Sequence, residues 1–327
     1  MKEKVLITGA SGFLGFHLIE AALANNLQVF AAVRKSSNID HLRNLPVTFT
    51  YPDFGNLSKL QEEIISGQYA YIIHAAGITK ANSKQEYDLV NAGYSFNLGK
   101  VAEQAKDSIK KFIYISSLAA IGPLVNSEET INEFTPANPV TAYGKSKLMA
   151  EVMLQQLSIP LIILRPTAIY GPRDKDIFIF FKTIKKGLEP YLGSHKQQLS
   201  FIYAKDVADA AVKALFSPYN SSYNISDGNS YDRYDLAKYL KQYMRTKTLK
   251  FHLPGGVVKA IAFTLENTMK VFNKASVLNK EKLNELLASN WICDIEKARK
   301  ELGFRPMYNL DTGVKESLEW YQQYKWL

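Results

Sequence analysis

Val5-Leu6-Ile7-Thr8 runs without a break into Gly9-Ala10-Ser11-Gly12-Phe13-Leu14-Gly15, and an apolar, helix-length segment then extends from Phe16 to Ala24. Glycine recurs at positions 9, 12 and 15, between a strand-like run and a helix-like one. In a turn of this kind each glycine has its own task. Gly9 permits the tight strand-to-helix reversal, Gly12 lets the backbone approach a diphosphate, and Gly15 lets the helix lie close on the strand. The helix start then presents free N–H groups and the positive end of its dipole to the phosphates. The spacing predicts a dinucleotide-binding turn in which Ser11, Phe13 and Leu14 stand beside the three glycines.

Working outward, strand-length apolar runs recur at Val29 to Val33, Tyr71 to His74, Phe112 to Ile115 and Leu161 to Leu164. Helix-length segments separate them, among them Val90 to Ala105 and Tyr143 to Leu157. Short buried runs alternating with helices predict a parallel sheet covered on both faces, an α/β fold of the doubly wound type. After Arg165-Pro166 the pattern loosens through Gly171-Pro172, Gly187, Pro190 and Gly193, which predicts a smaller, discontinuous C-terminal substrate lobe. Phe201-Ile202-Tyr203 and Asp206 to Leu215 read as a return to the core, with Asp206 as a helix cap. Residues 1–165 and 201–225 then form the dinucleotide domain, and 166–200 and 226–327 the substrate lobe.

The 327 residues suffice for one large α/β unit or a core with an elaboration, and 46% hydrophobic against 22% charged residues excludes a disordered chain. The net charge of +9 is scattered, so it fits a phosphate-bearing small molecule rather than nucleic acid. A single cysteine, Cys293, excludes an internal disulfide and a Cys-rich zinc site, and points to a reducing compartment. The five histidines (His17, His41, His74, His195, His252) form no close pair, so no metal is expected. With no secretory signal and no run of 18 apolar residues, the expected location is cytoplasmic without a membrane span. His74 reads as packing at a strand end, Cys293 beside Trp291 as a buried inert thiol, and the many tyrosines from Tyr219 to Tyr243 as lobe packing.

The second strand ends in Arg34-Lys35-Ser36-Ser37 rather than in the acid that takes ribose hydroxyls in an NAD site. A guanidinium and an ammonium there suit a 2′-phosphate, so Arg34 and Lys35 predict NADP(H). Asp40, the nearest acid, leaves NAD(H) open.

Tyr143-Gly144-Lys145-Ser146-Lys147 heads a helix, and the four-residue spacing puts Tyr143 and Lys147 on one face. An ammonium close by favours tyrosinate, which makes Tyr143 a proton donor and acceptor. Ser116-Ser117 ends the strand Phe112 to Ile115, where parallel sheets place their ligands, and Ser117 is poised to hold a reacting oxygen.

These motifs, with Pro52-Asp53, His74-Ala75-Ala76-Gly77, Asn91, Gly122, Arg165-Pro166-Thr167-Ala168-Ile169-Tyr170-Gly171-Pro172, Asp206-Val207-Ala208 and Ala298 to Pro306, resemble the extended short-chain dehydrogenases/reductases nearly end to end. That group holds NAD(P)-binding epimerases, dehydratases and reductases on a Rossmann sheet. The resemblance implies a catalytic triad of Ser117, Tyr143 and Lys147, the latter two also touching the cofactor. It implies that Asp53 and Phe54 approach the adenine, that Ala75, Ala76, Gly77 and Asn91 line the cofactor, and that Pro166, Thr167 and Ile169 border the nicotinamide. Thr79, Ser117 and Tyr170 are implied as substrate contacts, and pairing into a homodimer through the helices at 90–105 and 143–157 is implied as well. One departure is Asn91-Ala92-Gly93-Tyr94-Ser95, where the family commonly has Asn-Val-x-Gly-Thr.

Within that resemblance, Leu118-Ala119 follow Ser117 where sugar-nucleotide dehydratases carry Asp-Glu. Gln197-Gln198-Leu199-Ser200 precedes Phe201 where many nucleotide-sugar enzymes have an arginine that grips phosphates, leaving Lys205 or Arg173 as substitutes. The apolar stretch from Leu253-Pro254 through Val257, Ile261, Leu265, Met269, Phe272 and Leu278 resembles the dihydroflavonol-4-reductase and 3β-hydroxysteroid dehydrogenase branch, though such spacing also suits plain core or an interfacial helix. The expected function is NADP(H)-dependent interconversion of a ketone and a secondary alcohol on a medium-sized, partly apolar small molecule. The alternatives are a nucleotide-sugar epimerase with tightly bound NAD, and an NADP-binding sensor or scaffold that turns nothing over.

Overall fold

In the computed structural model, which describes residues 2–126, 128–194, 196–254, 256 and 280–327, one seven-stranded sheet organises the chain. Its first six strands are β1 (Lys4–Thr8), β2 (Gln28–Ala32), β3 (Thr48–Thr50), β4 (Tyr71–His74), β5 (Lys111–Ile115) and β6 (Leu161–Pro166). Four shorter strands follow, β7 (Ala168–Tyr170), β8 (Leu188–Leu192), β9 (Gln198–Leu199) and β10 (Phe201–Tyr203). Then come β11 (Ser222–Ile225), β12 (Tyr231–Asp232) and β13 (Leu249–Leu253). The large sheet runs β3-β2-β1-β4-β5-β6-β11 with every pair parallel. This is a doubly wound order whose direction of winding reverses between β1 and β4, and the crevice beyond the carboxyl ends of those two strands is where such folds hold ligands.

Strand composition explains the burial. β4 reads Tyr-Ile-Ile-His and β5 reads Lys-Phe-Ile-Tyr-Ile, and every residue of both is buried because helices cover both sheet faces. One cover is α1 (Phe13–Ala24), whose Leu18, Ile19 and Ala22 are buried in the same core as Val5 and Ile7. Full burial of each larger side chain stabilises by roughly 1.5–3 kcal/mol. The other face carries α2 (Leu57–Gly67), a helical segment that starts as α3 (Lys84–Tyr87) and continues as α4 (Tyr94–Gln104), and α5 (Ala142–Gln155). Between α3 and α4 the chain widens into a π turn at Asp88–Gly93, where the sequence pattern predicts plain α-helix. Such insertions re-aim a side chain, and this one carries Asn91.

A second core forms around α6 (Phe178–Lys185), α8 (Asp235–Met244) and the C-terminal helix Leu310–Gln323, with Tyr170, Phe181, Tyr203, Tyr231 and Tyr321 inside it. β10 pairs with β7 outside the large sheet, and because side chains alternate, Ile202 enters the first core while Phe201 and Tyr203 enter the second. The return to the main sheet is made by α7 (Ala204–Leu215).

Two sequence readings change here. Asp206 is not a cap: it lies inside α7, fully buried, and accepts the backbone N–H groups of Met307 and Tyr308 at 2.9 and 3.1 Å. It ties the approach to the C-terminal helix to the main domain. Cys293, Ile295, Ala298, Leu302 and Phe304 pack with the first core, so this segment sits with the large sheet although it follows residue 226. Tyr94 fits without disturbing α4, its hydroxyl reaching over Gly55 in the loop after β3. Among the described residues no helix is long and apolar enough to cross a membrane. Val257, Ile261, Leu265, Met269, Phe272 and Leu278 lie outside the described residues.

Candidate active site

The crevice between β1 and β4 is walled by glycine for a measurable reason. Gly9 has φ +69°, a region that disfavours any side chain, and a Cβ there would stand 2.7 Å from the Ala75 carbonyl oxygen. A Cβ on Gly15 would stand 2.2 Å from the Gly9 carbonyl oxygen and 2.7 Å from that of Ala10. The turn closes with Gly12 N–H donating to the Gly9 carbonyl at 2.9 Å. Gly12 is the N-cap of α1 and brings no side-chain partner to the first-turn N–H groups, and no acid stands in that turn to repel an anion. This cradle fits the diphosphate of a dinucleotide, with Ser11, Phe13 and Leu14 around its rim.

At the end of β2, Arg34 and Lys35 are exposed in a turn closed by Ser37 N–H to the Arg34 carbonyl. The Ser37 hydroxyl is buried beside them without a partner among the described residues. Asp40 faces Arg43 at 3.1 Å, an ion pair one turn away that occupies the acid nearest to the ribose end. Asp53 is exposed in the loop after β3 and accepts Gly55 N–H, while the Phe54 carbonyl is fixed by Asn97.

Tyr143 and Lys147 stand one turn apart on α5, whose start is fixed by the Thr141 side chain accepting Gly144 N–H at 3.0 Å. Ser117 lies two residues beyond β5 and accepts Ala119 N–H, and its side chain pulls the Tyr143 hydroxyl pKa down. The buried Lys147 ammonium donates to the Ile115 carbonyl at 2.8 Å and lies 4.8 Å over the Tyr114 ring. The sequence alone has the lysine lowering the tyrosine pKa. In the protein, burial dominates: it pushes the Tyr143 hydroxyl up to about 12 against the pull of Ser117, and pushes Lys147 down to about 8 against the Glu151 carboxylate. Tyr87 meets the Tyr143 ring edge-on, and its hydroxyl donates to the carbonyl of the exposed Thr79.

A polar chain absent from the sequence reading joins the phosphate turn to this helix. Ala76 N–H donates to Thr8 Oγ1, which meets His74 Nδ1 at 2.7 Å, and His74 Nε2 meets Ser95 Oγ at 2.8 Å. The Ser95 hydroxyl already donates to the Asn91 carbonyl, so it accepts the His74 Nε2 proton, and Nδ1 accepts from Thr8. Burial and Lys147 push His74 down to about 3, which keeps it neutral in this bridging role. Asn91 in turn accepts Ile78 N–H and donates to Ser146, whose hydroxyl donates to the Tyr143 carbonyl. Asn91 and Lys147 converge on Gly77, where a Cβ would meet Asn91 Oδ1 at 3.0 Å and Lys147 Nζ at 3.5 Å. Thr8, Ser95 and Ser146 carry no spacing signal, because only the sheet order brings them together.

Pro166 and Thr167 end β6, and the Thr167 hydroxyl is buried without a partner among the described residues, a polar atom free for a ligand. Ile169 is half-buried against the first core. Tyr170 does not face a substrate: it is 2% exposed, its hydroxyl donates to the Asn309 carbonyl, and its ring packs on Phe201 and Tyr203. Of the cations that the sequence offers as a phosphate clamp, Lys205 is paired with Glu316, and Arg173 stacks at 4.0 Å on Phe16 and 5.5 Å from Trp320. Cys293 is buried, which pushes its thiol up to about 12 and leaves it unreactive.

The sequence matches the family described as the NAD dependent epimerase/dehydratase family over residues 5–226. It is similar to the ceramide reductase of Caulobacter vibrioides, 26% identical over 325 residues that cover 99% of this chain and 96% of that protein. It is also similar to the UDP-glucose 4-epimerase of Vibrio cholerae, 27% identical over 345 residues that cover 99% of this chain and 97% of that protein. Among solved structures, the UDP-glucose 4-epimerase of Thermotoga maritima with UDP-glucose superposes with a TM-score of 0.81 at 20% identity, covering 98% of this chain and 99% of that one. The chain therefore belongs to the NAD dependent epimerase/dehydratase family, and is an NAD(P)-dependent enzyme of the extended short-chain dehydrogenase/reductase type.

Proposed function

We propose that this protein interconverts a ketone and a secondary alcohol on a medium-sized, partly apolar substrate, with NADP(H) as a dissociable cofactor. The observation that carries the reading is the convergence of Tyr143 and Lys147 of α5 on the end of β5 and on Gly77 of the crevice wall, with Ser117 beside Tyr143, while Lys205 is paired with Glu316. Similarity to a ceramide reductase supports an apolar substrate. When bound, the cofactor supplies or accepts the hydride. Ser117 donates a hydrogen bond that orients the reacting oxygen, Tyr143 gives its hydroxyl proton to that oxygen or takes it back, and Lys147 favours the tyrosinate. Gly9, Gly12 and Gly15 would hold the diphosphate, Asp53 and Phe54 the adenine side, Ala75, Ala76, Gly77 and Asn91 the inner wall, and Pro166, Thr167 and Ile169 the nicotinamide side. Thr79 and Ser117 would border the substrate.

Arg34 and Lys35 support the choice of NADP(H), since both are exposed at the ribose end and the nearest acid is paired with Arg43. Arg34→Ala is expected to weaken NADPH at least ten-fold and leave NADH within two-fold, about 1.4 kcal/mol on one cofactor only. Fluorescence titration of both nucleotides checks it, and an unchanged preference overturns the NADP(H) assignment. The second reading, a nucleotide-sugar epimerase with retained NAD, is favoured by the Vibrio relative, and protein that purifies with stoichiometric NAD and binds a nucleoside diphosphate sugar would establish it.

We also infer a homodimer through the helical segment 88–104 and α5, whose outer faces expose Leu89, Met149 and Val152. Light scattering after size exclusion is expected to give about twice the 36.9 kDa chain mass. A Met149→Glu/Val152→Glu variant should run as the monomer, and a monomeric parent removes the inference.

A further inference from the structure

Glu151 stands one turn beyond Lys147 on α5 and two turns beyond Tyr143, 1% exposed. It receives the Ser116 hydroxyl, from the residue before Ser117 at the end of β5, at 2.5 Å. Arg165, on β6 just ahead of Pro166 and Thr167, donates to it from Nε at 3.1 Å to both oxygens and from Nη2 at 2.6 Å. A buried carboxylate that satisfies donors on two strand ends is far from an incidental surface pair.

We propose that Glu151 is a positioning residue for the reaction: its carboxylate fastens the strand end with Ser117, the helix face with Tyr143 and Lys147, and the strand end with Pro166 and Thr167 into one unit, and supplies the negative charge that faces the Lys147 ammonium. The inference rests on the oxidoreductase reading for its purpose but not for its physics. Around Lys147 stand Glu151 and Tyr143 on the same helix, the neutral His74 on β4, Tyr114 on β5 and, behind Glu151, Arg165 on β6. Burial pulls the ammonium toward its neutral form and Glu151 is the group that opposes this. Removing only its charge leaves Arg165 as an uncompensated buried cation, which works against Lys147 in the same direction.

The test follows the Lys147 ε-carbon NMR signal, assigned with Lys147→Arg, against pH in the full chain without any ligand. The parent is expected to titrate near 8, and Glu151→Gln about one pH unit lower or more, a ten-fold fall in the ratio of charged to neutral lysine at a given pH. Glu151→Gln/Arg165→Gln removes both charges together, guards against misfolding of the single variant, and is expected to stay below the parent midpoint because it too lacks the carboxylate that faces Lys147. An unchanged midpoint in a folded Glu151→Gln protein, or a double variant that titrates with the parent, reduces Glu151 to a structural tie and overturns the proposal. Because no substrate enters the measurement, a failed carbonyl reaction would count against the proposed function and leave this result standing.

Discussion

Tyr143→Phe is expected to abolish turnover by a factor of roughly 10² to 10⁴ while the affinity for the reduced cofactor stays within a few fold. In the proposed reaction the hydroxyl exchanges a proton with the substrate oxygen, which Ser117 would orient beside it. The ring remains, so the edge-on contact with Tyr87 and the burial around it are kept. Loss of rate without loss of fold or cofactor binding separates chemistry from packing, and single-turnover rates with a confirmed substrate provide the check. A variant within a few fold of the parent would remove Tyr143 from the proton path. The direction of the pH profile follows from the same burial. The free protein holds the tyrosine high and Lys147 low, so protonated tyrosine and charged lysine coexist below about 8, and reduction should fade as pH rises through that value.

The second large effect belongs to the glycine cradle. Gly15→Ala places a Cβ 2.2 Å from the Gly9 carbonyl oxygen and 2.7 Å from the Ala10 carbonyl oxygen, both backbone atoms of the turn proposed to hold the diphosphate. Neither can retreat without moving α1 off β1. Overpacking of this kind costs about 1–3 kcal/mol, and here the displaced atoms belong to the proposed diphosphate site. Dinucleotide affinity is expected to fall at least a hundred-fold, alongside a lowered melting temperature. Gly93→Ala is the matched control, because its Cβ would sit 3.6 Å from Leu89 Cδ1 and 3.8 Å from the Asp88 carbonyl, ordinary contact distances. It should change stability by less than about 1 kcal/mol. Equal behaviour of the two variants, followed by calorimetry and nucleotide titration, would contradict the steric account.

The parts of the fold that sequence displays are those that a local pattern encodes. The five strand runs fall on β1, β2, β4, β5 and β6 to within a residue or two, and the apolar segment after the glycines is α1. Gly9, Gly12 and Gly15 are legible because their spacing falls between a strand run and a helix run and two of them leave no room for a Cβ, and Tyr143 with Lys147 because four residues make one helical turn. What stays hidden depends on distant partners. Asp206 has the look of a cap, yet its acceptors are used by Met307 and Tyr308, about a hundred residues on. Tyr170 borders a family motif, yet its ring completes the second core, which no local pattern announces. The Thr8–His74–Ser95–Asn91–Ser146 chain links five segments that only the β1–β4 neighbourhood brings together. The π turn at Asp88–Gly93 is likewise invisible to a 3.6-residue period, since it is the departure from that period which aims Asn91.

Between the reductase and the epimerase the distinguishing quantity is net consumption of the cofactor. The most direct measurement is the loss of reduced-nicotinamide absorbance when purified, nucleotide-free protein meets NADPH and a panel of apolar ketones, with Tyr143→Phe alongside. The account predicts NADPH oxidation matched one-to-one by alcohol formed, absent in the variant. No net oxidation with any ketone, together with retained NAD and interconversion of a nucleoside diphosphate sugar, would contradict it.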